Sequence, residues 1–342
     1  MNKLLLTLPL LALTACNRPE QHCLFGHQDD VVYGHDWQRL ADSTYNDTRS
    51  SVCDLTGHMP DLIGFDLGGA ELCRSRNLDS VPFNRMLEES RRQFLRGGKV
   101  TLSFHMRNPL TLGNSWDTTS CLSEALRPGS AVHDTLACWL VRTAQMARRI
   151  SDLQTADGQL ILRAWHEQSG NWFWWCRDFA SADDYKALWA WTRHVFDSVG
   201  VRADWAYSPD RLTLYDDTPE GALRETREWY PGDEYVDIIG TDCYHFGGAE
   251  GTADYLHRAH RQLGASYALA QERGKRLAFT ETGNEGIRCP QWYTSVLLPL
   301  LREYPVEYVL VWRNAWDIPT HYYVPIPGHP EADDFIRFMT SY

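Results

Sequence analysis

Eight short runs rich in β-branched and aromatic residues recur along the chain, and each ends in polar or aromatic side chains. These runs cover residues 31–37, 61–69, 99–109, 159–168, 202–210, 234–244, 276–283 and 306–316. The stretches between most of them are compatible with helices, as at 132–153, 183–199, 252–273 and 290–303. In 183–199 the apolar side chains follow the i, i+3, i+4, i+7 spacing of a single helical face. Eight strands alternating with helices predict an α/β fold, namely a single (β/α)8 TIM barrel.

The composition argues against one class of partner and is compatible with another. At 342 residues the chain suits one large domain, and its net charge of −12 argues against a nucleic-acid partner, which normally requires a basic face. Tryptophan occurs 14 times, and aromatic residues make up 12% of the chain. Such an excess usually fills a core, but it is also typical of carbohydrate-binding clefts, where flat sugar faces stack on indoles.

The first residues of the chain predict export. "MNKLLLTLPLLALTAC" has a lysine, then an apolar stretch too short to span a bilayer, then small residues before Cys16. "LTAC" resembles a bacterial lipobox, in which the cysteine becomes the lipidated first residue; the alternative is an ordinary cleaved signal with an incidental cysteine. We therefore expect a lipoprotein signal peptide at 1–15, lipidation at Cys16 and one domain of catalytic size over 16–342. The other cysteines form no CxxC pair, so they suggest no zinc site and set no disulfide pattern.

In a barrel of this kind the chemistry lies at the C-terminal ends of the strands. There the sequence places His35, Asp66, His105, His166, Glu167, Asp242, Tyr244, Glu281, Trp312 and Arg313. Glu167 ends the fourth predicted strand and Glu281 the seventh, and strands that far apart can hold two carboxylates on either side of one bond. Glycosidic cleavage needs such a pair, with one carboxyl protonated to donate to the leaving oxygen and one ionised to attack the anomeric carbon.

The segment "RAWHEQSGNWFWW", residues 163–175, supports this interpretation of Glu167. Its four aromatic residues at 172–175 cannot all be core, because a buried run of that bulk would leave the neighbouring carboxylate without solvent or partner. A carboxylate that faces an aromatic-lined cleft resolves the conflict. A zinc-binding HExxH pattern fails here because residue 170 is glycine.

Each candidate also has a purely structural interpretation. Glu167 could be a salt-bridged residue of the barrel rim, and Glu281 could be the neighbour of a helix N-cap. His105 and His166 could each be a packed, hydrogen-bonded ring. Tyr244 could be an ordinary aromatic residue at the barrel top, and Trp312 could be core, since most tryptophans are largely buried.

Several segments resemble the signature segments of one enzyme family. "RAWHEQSGNWFWW", "FTETG" and "VLVWRNAW" resemble those of glycoside hydrolase family 26, and "LFGHQDD", "YGH", "SFHMRNP" and "IIGTDCY" match its other strand-end segments in the same order. The resemblance covers nearly the whole chain after the signal peptide. It implies a retaining glycosidase with a (β/α)8 barrel, in a family dominated by β-1,4-mannanases.

The resemblance also implies a role for each candidate residue. Glu167 would be the general acid/base and Glu281 the nucleophile, to which Tyr244 would donate a hydrogen bond. Trp172 would be a sugar platform near the leaving-group side. The subsites to the left of the cleaved bond would be lined by His105, His166, Trp312 and Arg313. Gln168 is polar where many relatives have Met or Leu-like residues, which does not affect the catalytic pair. This chemistry needs no metal ion or organic cofactor.

The substrate and the cellular location stay open between alternatives. We expect hydrolysis of β-1,4-mannosidic bonds in mannan or manno-oligosaccharides, with mixed-linkage β-glucan or β-1,3-xylan as the alternative substrates. A glycan-binding lipoprotein without activity is a further alternative. The residues after Cys16, "NRPEQH", are mixed in charge and lack consecutive acids. They favour a lipid-anchored, periplasm-facing enzyme of the bacterial envelope over one on the cell surface, and an enzyme in that position would release short products from chain ends.

Overall fold

The barrel closes from eight parallel strands, each paired with its neighbours in sequence. The computed structural model describes residues 23–41, 45 and 47–341, so the predicted signal peptide and Cys16 lie outside the described residues. The strands are β1 Leu24–Gln28, β2 Leu62–Asp66, β3 Lys99–Ser103, β4 Gln159–Arg163, β5 Asp204–Tyr207, β6 Ile238–His245, β7 Arg276–Asn284 and β8 Tyr308–Val311. Strand β1 pairs with both β2 and β8, which closes the sheet. The predicted (β/α)8 TIM barrel is confirmed.

The first barrel strand was predicted at the wrong place. Residues 31–37 form a turn and most of a two-stranded hairpin, Tyr33–Gly34 with Trp37–Gln38, beyond the end of β1. The apolar residues of this segment are buried, as in a strand, but Gly34 sits where the chain turns back on itself. The strand is Leu24–Gln28, where a Cβ on Gly26 would come within 2.5 Å of Leu62, so only glycine fits this crowded barrel position. The other seven strands lie within the predicted runs or extend at most one residue beyond them.

Helices cover the outside of the barrel. They are α1 Ser51–Thr56, α2 Phe83–Leu95, α3 Leu122–Ala125, α4 Ala131–Ser151, α5 Ala182–Val199, α6 Pro219–Trp229, α7 Thr252–Arg273, α8 Leu298–Glu303 and α9 Ala332–Ser341. The predicted helices at 132–153, 183–199 and 252–273 correspond to α4, α5 and α7. The one predicted at 290–303 is a π-helical turn, Tyr293–Leu297, that continues into α8. Helix α5 begins where the Ser181 side chain accepts from the Asp184 amide and ends at Gly200, whose φ is +85°.

The core has three parts, the smallest of which consists of Leu212, Ala222 and Ala265. Inside the barrel, a small apolar cluster contains Leu62, Ile161, Ala206, Ile238, Ala278, Tyr308 and Leu310. A larger cluster fills the space between the barrel and the helices. The eight cysteines in the described residues are all free thiols. No helix in that part of the chain is both long and apolar enough to cross a membrane.

Candidate active site

A cleft of about 260 Å³ opens at the C-terminal ends of the barrel strands. Its walls consist of His105, Trp116, His166, Glu167, Trp172, Phe173, Tyr244, Phe246, Glu281, Trp312, His321 and Tyr323. All but one of the residues predicted for the catalytic pair and the sugar subsites are therefore brought together. The exception is Arg313, which does not line this cleft.

The two predicted catalytic carboxylates lie close to each other. One carboxylate oxygen from each of Glu167, Asp242 and Glu281 lies within 4.8 Å of those of the other two. Retaining glycosidases hold their two carboxyl groups about 5–5.5 Å apart, whereas inverting enzymes need a wider gap for a water molecule. The spacing therefore fits a retaining mechanism. A metal ion held by these three oxygens would compete with the Arg163 guanidinium, which already donates to two of the carboxylates.

Glu281 is fixed as an acceptor of two hydrogen bonds. It lies inside β7 opposite Asp242, just past an irregularity in the β6–β7 register. The buried Arg163 guanidinium at the end of β4 donates to Oε1, and the Tyr244 hydroxyl donates to Oε2 over 2.6 Å. Burial and the nearby Tyr323 and Glu167 raise the pKa of Tyr244 well above its usual value, so it stays a donor. Both partners stabilise the ionised form of Glu281.

Glu167 has the opposite surroundings. It lies in the loop after β4, where its amide donates to Ser208 O over 2.8 Å, and its φ of +57° is unusual for a residue with a side chain. The only hydrogen bond that its carboxyl group receives in the described residues comes from Trp172 Nε1, at 2.6 Å from Oε2. Burial, and then the charges of Asp210 and Asp242, raise the pKa of Glu167 well above its usual value. These surroundings favour the protonated form of Glu167.

Two further acids extend the network around this pair. Asp242 accepts from Arg163 Nη1 over 2.8 Å, and burial raises the pKa of Asp242 to about 6. Asp210, after β5, accepts from Gln262 Nε2 over 3.0 Å, and burial together with Asp242 raises the pKa of Asp210 to about 7. The sequence reasoning assigned no role to Arg163 or Asp210. Arg163 was a usable signal because it is a charged residue at the end of an apolar strand, whereas Asp210 lies in the loop after β5.

The two predicted histidines meet edge to face, with ring centroids 4.7 Å apart. His105 Nδ1 lies 2.8 Å from Asp66 Oδ2, and its ring stacks on Trp116 at a centroid distance of 5.2 Å. Burial, and then the charges of Arg163 and His105, lower the pKa of His166 well below its usual value. His166 is therefore a neutral ring at the cleft wall.

Trp312 and Arg313, which follow β8, point to different surroundings. Trp312 is half-buried and lines the cleft. The Arg313 guanidinium instead lies 3.2 Å from Asp79 Oδ1 and donates to the Tyr33 hydroxyl over 3.3 Å. Tyr33 in turn donates to Asp29 over 2.5 Å. A direct substrate contact by Arg313 stays a prediction.

The aromatic run at 172–175 divides between cleft and core. Phe173, Trp174 and Trp175 are buried, and the two indoles donate to the backbone carbonyls of Met106 and His166 over 3.0 and 2.8 Å. Trp172 is only partly buried and lines the cleft beside the acid. The buried rings thus anchor the loop that carries Glu167, while Trp172 leaves this carboxyl group facing an aromatic cleft.

Five cleft residues were absent from the predicted site residues: Trp116, Phe173, Phe246, His321 and Tyr323. Trp116 is 49% exposed and Phe246 56% exposed, which is high for large apolar side chains. Phe246 directly follows the last residue of β6, so its position at a strand end was a usable signal. Trp116 lies in the long loop after β3, which carries no periodic pattern from which its place could be read.

Comparison with known proteins agrees with this geometry. Residues 12–275 match the family model described as glycosyl hydrolase family 26. A β-mannanase structure of that family from Bacteroides ovatus has a TM-score of 0.83 at 38% identity, over 94% of this chain and 89% of that one. A modular endo-β-1,4-mannanase from Cellulomonas fimi has a TM-score of 0.74 at 28% identity, over 93% and 70%.

Curated relatives carry the same type of name. A mannan endo-1,4-beta-mannosidase from Bifidobacterium adolescentis is 31% identical over 76% of this chain, and one from Bacillus subtilis strain 168 is 27% identical over 88%. The matched part is 26% of the Bifidobacterium protein and 76% of the Bacillus protein, so the chain spans only about a quarter of the former. By the family model and these relatives, as the resemblance predicted, the chain belongs to glycosyl hydrolase family 26.

Proposed function

We propose that this protein is a retaining glycoside hydrolase that cleaves β-1,4-mannosidic bonds in mannan or manno-oligosaccharides. The observation that carries the proposal is the contrast between two neighbouring carboxyl groups. Glu281 accepts hydrogen bonds from Arg163 and Tyr244, whereas Glu167 is buried among other acids. A pair with separated protonation states at this spacing is what double displacement requires.

The first half of the reaction forms a covalent intermediate. Glu281 attacks the anomeric carbon, and the C–O bond to the leaving sugar breaks as Glu167 transfers its proton to the departing oxygen. Tyr244 and Arg163 keep the Glu281 carboxylate ionised and oriented for this attack. The raised pKa of Glu167 keeps its proton available near neutral pH.

The second half returns the enzyme to its starting state. Glu167, now ionised, takes a proton from a water molecule, and the resulting hydroxide displaces Glu281 from the anomeric carbon. Two inversions give net retention. After hydrolysis Glu167 is protonated again and Glu281 is ionised again.

The substrate preference is inferred from the names of the relatives. The Bacteroides ovatus and Cellulomonas fimi proteins are described as mannanases, and the described Bifidobacterium and Bacillus proteins as mannan endo-1,4-β-mannosidases. The test is a digest of β-mannan and mannohexaose beside mixed-linkage β-glucan and β-1,3-xylan, with the product anomer followed by proton NMR. Release of β-configured products from mannan alone is expected. Faster cleavage of either other polymer would refute the preference, α-products would refute retention, and binding without cleavage would indicate a glycan-binding protein.

The location is proposed from the N-terminal motif. Lipidation at Cys16 would tether the protein to a membrane of the bacterial envelope, facing the periplasm, where a supply of imported oligosaccharides would favour release of short products from chain ends. Protease treatment of intact cells tests the side of the membrane, because degradation without lysis would place the protein on the surface. Predominant mannobiose from the start of a mannohexaose digest is the expected product pattern. An early spread of mixed lengths would instead identify internal cleavage.

A further inference from the structure

Trp172 touches three groups at once, and these contacts join the acid to a residue outside the cleft lining. Its indole Nε1 donates to Glu167 Oε2 over 2.6 Å. The guanidinium carbon of Arg211 lies 4.9 Å from the centroid of its ring. The backbone of Gly170 lies so close that an added Cβ would be 2.5 Å from Trp172 Cη2 and 2.6 Å from Cζ2. The indole is therefore held from several sides and is more than an open face for a sugar.

The hydrogen bond from Trp172 decides which oxygen of Glu167 carries the proton. In a neutral carboxyl group the carbonyl oxygen is the better acceptor, and the hydroxyl oxygen carries the proton. Because the indole N–H points at Oε2, it favours the carbonyl form there and places the acidic proton on Oε1. An acid can protonate a leaving group only when its proton points at that oxygen, so this bond sets the geometry of proton transfer.

Arg211 is placed to hold the indole in this position. It follows Asp210 in the loop after β5, and the Asp210 amide donates to Ser169 Oγ over 2.9 Å, which ties that loop to the Glu167 loop. A guanidinium within about 6 Å of an indole face is attracted to the ring, and arginine forms such contacts more often than lysine does. The exposed Arg211 thus restrains the ring from the solvent side.

We propose that Arg211 is a positioning residue for the general acid, acting through Trp172 on the proton of Glu167. The role rests on the glycosidase function proposed above. Gly170 also positions the indole, because any larger residue there would push the ring away from Glu167. Arg211 itself is not among the residues that line the cleft and contacts that lining through Trp172.

The test separates proton donation from substrate binding by changing the leaving group. Mannan needs a proton on its leaving oxygen, whereas 2,4-dinitrophenyl β-mannobioside does not. In Arg211→Gln we expect kcat/KM on mannan to fall about tenfold, a part of the 10²–10⁴ that acid catalysis supplies, with kcat/KM on the aryl substrate unchanged. An equal loss on both substrates, or no loss on mannan, would overturn the proposal.

Arg224→Gln is the matched control. Arg224 is also exposed and lies over an aromatic ring, with its guanidinium carbon 3.9 Å from the centroid of Tyr215, but it lies on α6 away from the cleft. It should retain wild-type kcat/KM on both substrates. A loss of mannan cleavage as large as that of Arg211→Gln would show that any arginine–aromatic contact has this effect, and the proposal would fail.

A double-mutant cycle tests whether Arg211 acts through the indole. Trp172→Phe keeps a ring but removes the N–H donor. If the proposal holds, adding Arg211→Gln to Trp172→Phe changes kcat/KM on mannan by less than twofold, because the path to Glu167 is already broken. A full tenfold additional loss would show that Arg211 acts by another route.

A spectroscopic measurement tests the contact without relying on activity. The indole N–H signal that disappears in Trp172→Phe identifies Trp172 in an NMR spectrum of the ¹⁵N-tryptophan-labelled protein. A 2.6 Å hydrogen bond predicts a downfield proton that exchanges slowly, and Arg211→Gln should move it upfield and speed its exchange. An unchanged signal would refute the role of Arg211. If the wild type cleaved neither substrate, the proposed function would fail while this measurement would still decide the contact.

Discussion

Glu167 and Glu281 are both buried, but they differ in almost everything else that surrounds them. Glu281 lies within a strand and contacts a buried cation and a phenol hydroxyl. Glu167 lies in a loop with left-handed backbone and contacts one indole N–H, with two acids nearby. Burial alone disfavours a charge on either carboxyl group. The partners, and not the depth of burial, therefore distinguish the proposed nucleophile from the proposed acid.

The two environments are also built from different parts of the fold. The partners of Glu281, Arg163 and Tyr244, come from β4 and β6, and they are held by the barrel itself. The environment of Glu167 depends on loops after β4 and β5 that supply Trp172 and Asp210. Loops tolerate sequence change better than barrel strands do. We therefore expect substitutions around Glu281 to lower both stability and activity. Substitutions around Glu167 should mainly change the pKa of Glu167 and its transfer of a proton.

The largest expected effect comes from removing either carboxyl group. Glu167→Ala and Glu281→Ala should each lower mannan hydrolysis on the order of 10³-fold or more, because each removes a group that acts in bond cleavage. With an activated aryl mannoside, Glu167→Ala should still form the glycosyl-enzyme, and azide should rescue turnover to a β-azide. Glu281→Ala should show neither behaviour. Kinetics and NMR of the azide product make the measurement, with circular dichroism as the check on folding.

The same experiment can reverse the assignment. If azide rescued Glu281→Ala to a β-product while Glu167→Ala did not respond, Glu281 would be the acid. The comparison drawn from their surroundings would then be wrong.

The sequence was enough to locate both carboxylates, because their positions depend only on the order of the strands. Glu167 follows the fourth strand and Glu281 lies in the C-terminal half of the seventh, so both lie at the same opening of the closed barrel. The wrong position of the first predicted strand did not change this inference. The apolar residues of 31–37 are buried as those of a strand would be, and only the pairing of Leu24–Gln28 with its neighbours shows which segment closes the barrel.

The partners of the carboxylates could not be read in the same way. Arg163 donates to Glu281 across the barrel, although the two residues are 118 positions apart in the sequence. The direction of the Arg163 side chain depends on the shear of the sheet. Arg313 sits beside Trp312 in sequence, but turns to Asp79 on the loop after β2. Hydrophobic pattern fixes which residues end a strand, whereas contacts between distant loops decide what each long side chain meets.

Removing the cation beside Glu281 should be the next largest effect. Arg163→Met leaves Glu281 and Asp242 buried without their shared donor. We expect a loss of about 3–5 kcal/mol in the free energy of unfolding, and a loss of turnover of about 100-fold or more from the missing electrostatic stabilisation. Urea unfolding and mannan kinetics measure the two effects. Arg163→Lys should recover part of the stability, because it restores one charge.

Glu167→Gln provides the contrasting control. Its neutral amide mimics the protonated state in which Glu167 is buried, so stability should not fall while activity does. A drop in stability as large as that of Arg163→Met would mean that Glu167 is charged in the folded protein, and the proposed division of roles would not hold.

The aromatic platforms should have intermediate effects that differ between the two sides of the cleft. Trp172→Ala and Trp312→Ala should each lose about 1–3 kcal/mol of substrate or transition-state binding, by analogy with aromatic stacking generally. Trp172→Ala should lose more on mannan than on an aryl mannoside, since it also removes the donor to Glu167. Trp312→Ala should lose equally on both substrates. A large fall in melting temperature in either variant would identify the ring as core.

The smallest expected effect is a shift in pH dependence when one acid near Glu167 is neutralised. The charge of Asp210 is one cause of the raised pKa of Glu167, so Asp210→Asn should lower that pKa. In the proposed mechanism, activity needs protonated Glu167 and is lost as pH rises through its pKa. The alkaline limb of kcat/KM should therefore move to lower pH, while the acidic limb stays in place. Asp217→Asn, on the exposed part of the same loop, should move neither limb.

The same variant makes a linked prediction for stability, with a definite sign. Burial and Asp242 raise the pKa of Asp210 to about 7 in the folded protein, so the folded state binds its proton more tightly than the unfolded chain does. The stability that this proton contributes is complete below the unfolded pKa near 4 and is lost as pH rises through about 7. Asparagine cannot lose such a proton. The melting temperature of Asp210→Asn should match that of the wild type at pH 4 and exceed it at pH 8; an equal difference at both pH values would show that the pKa of Asp210 is not raised in the folded protein.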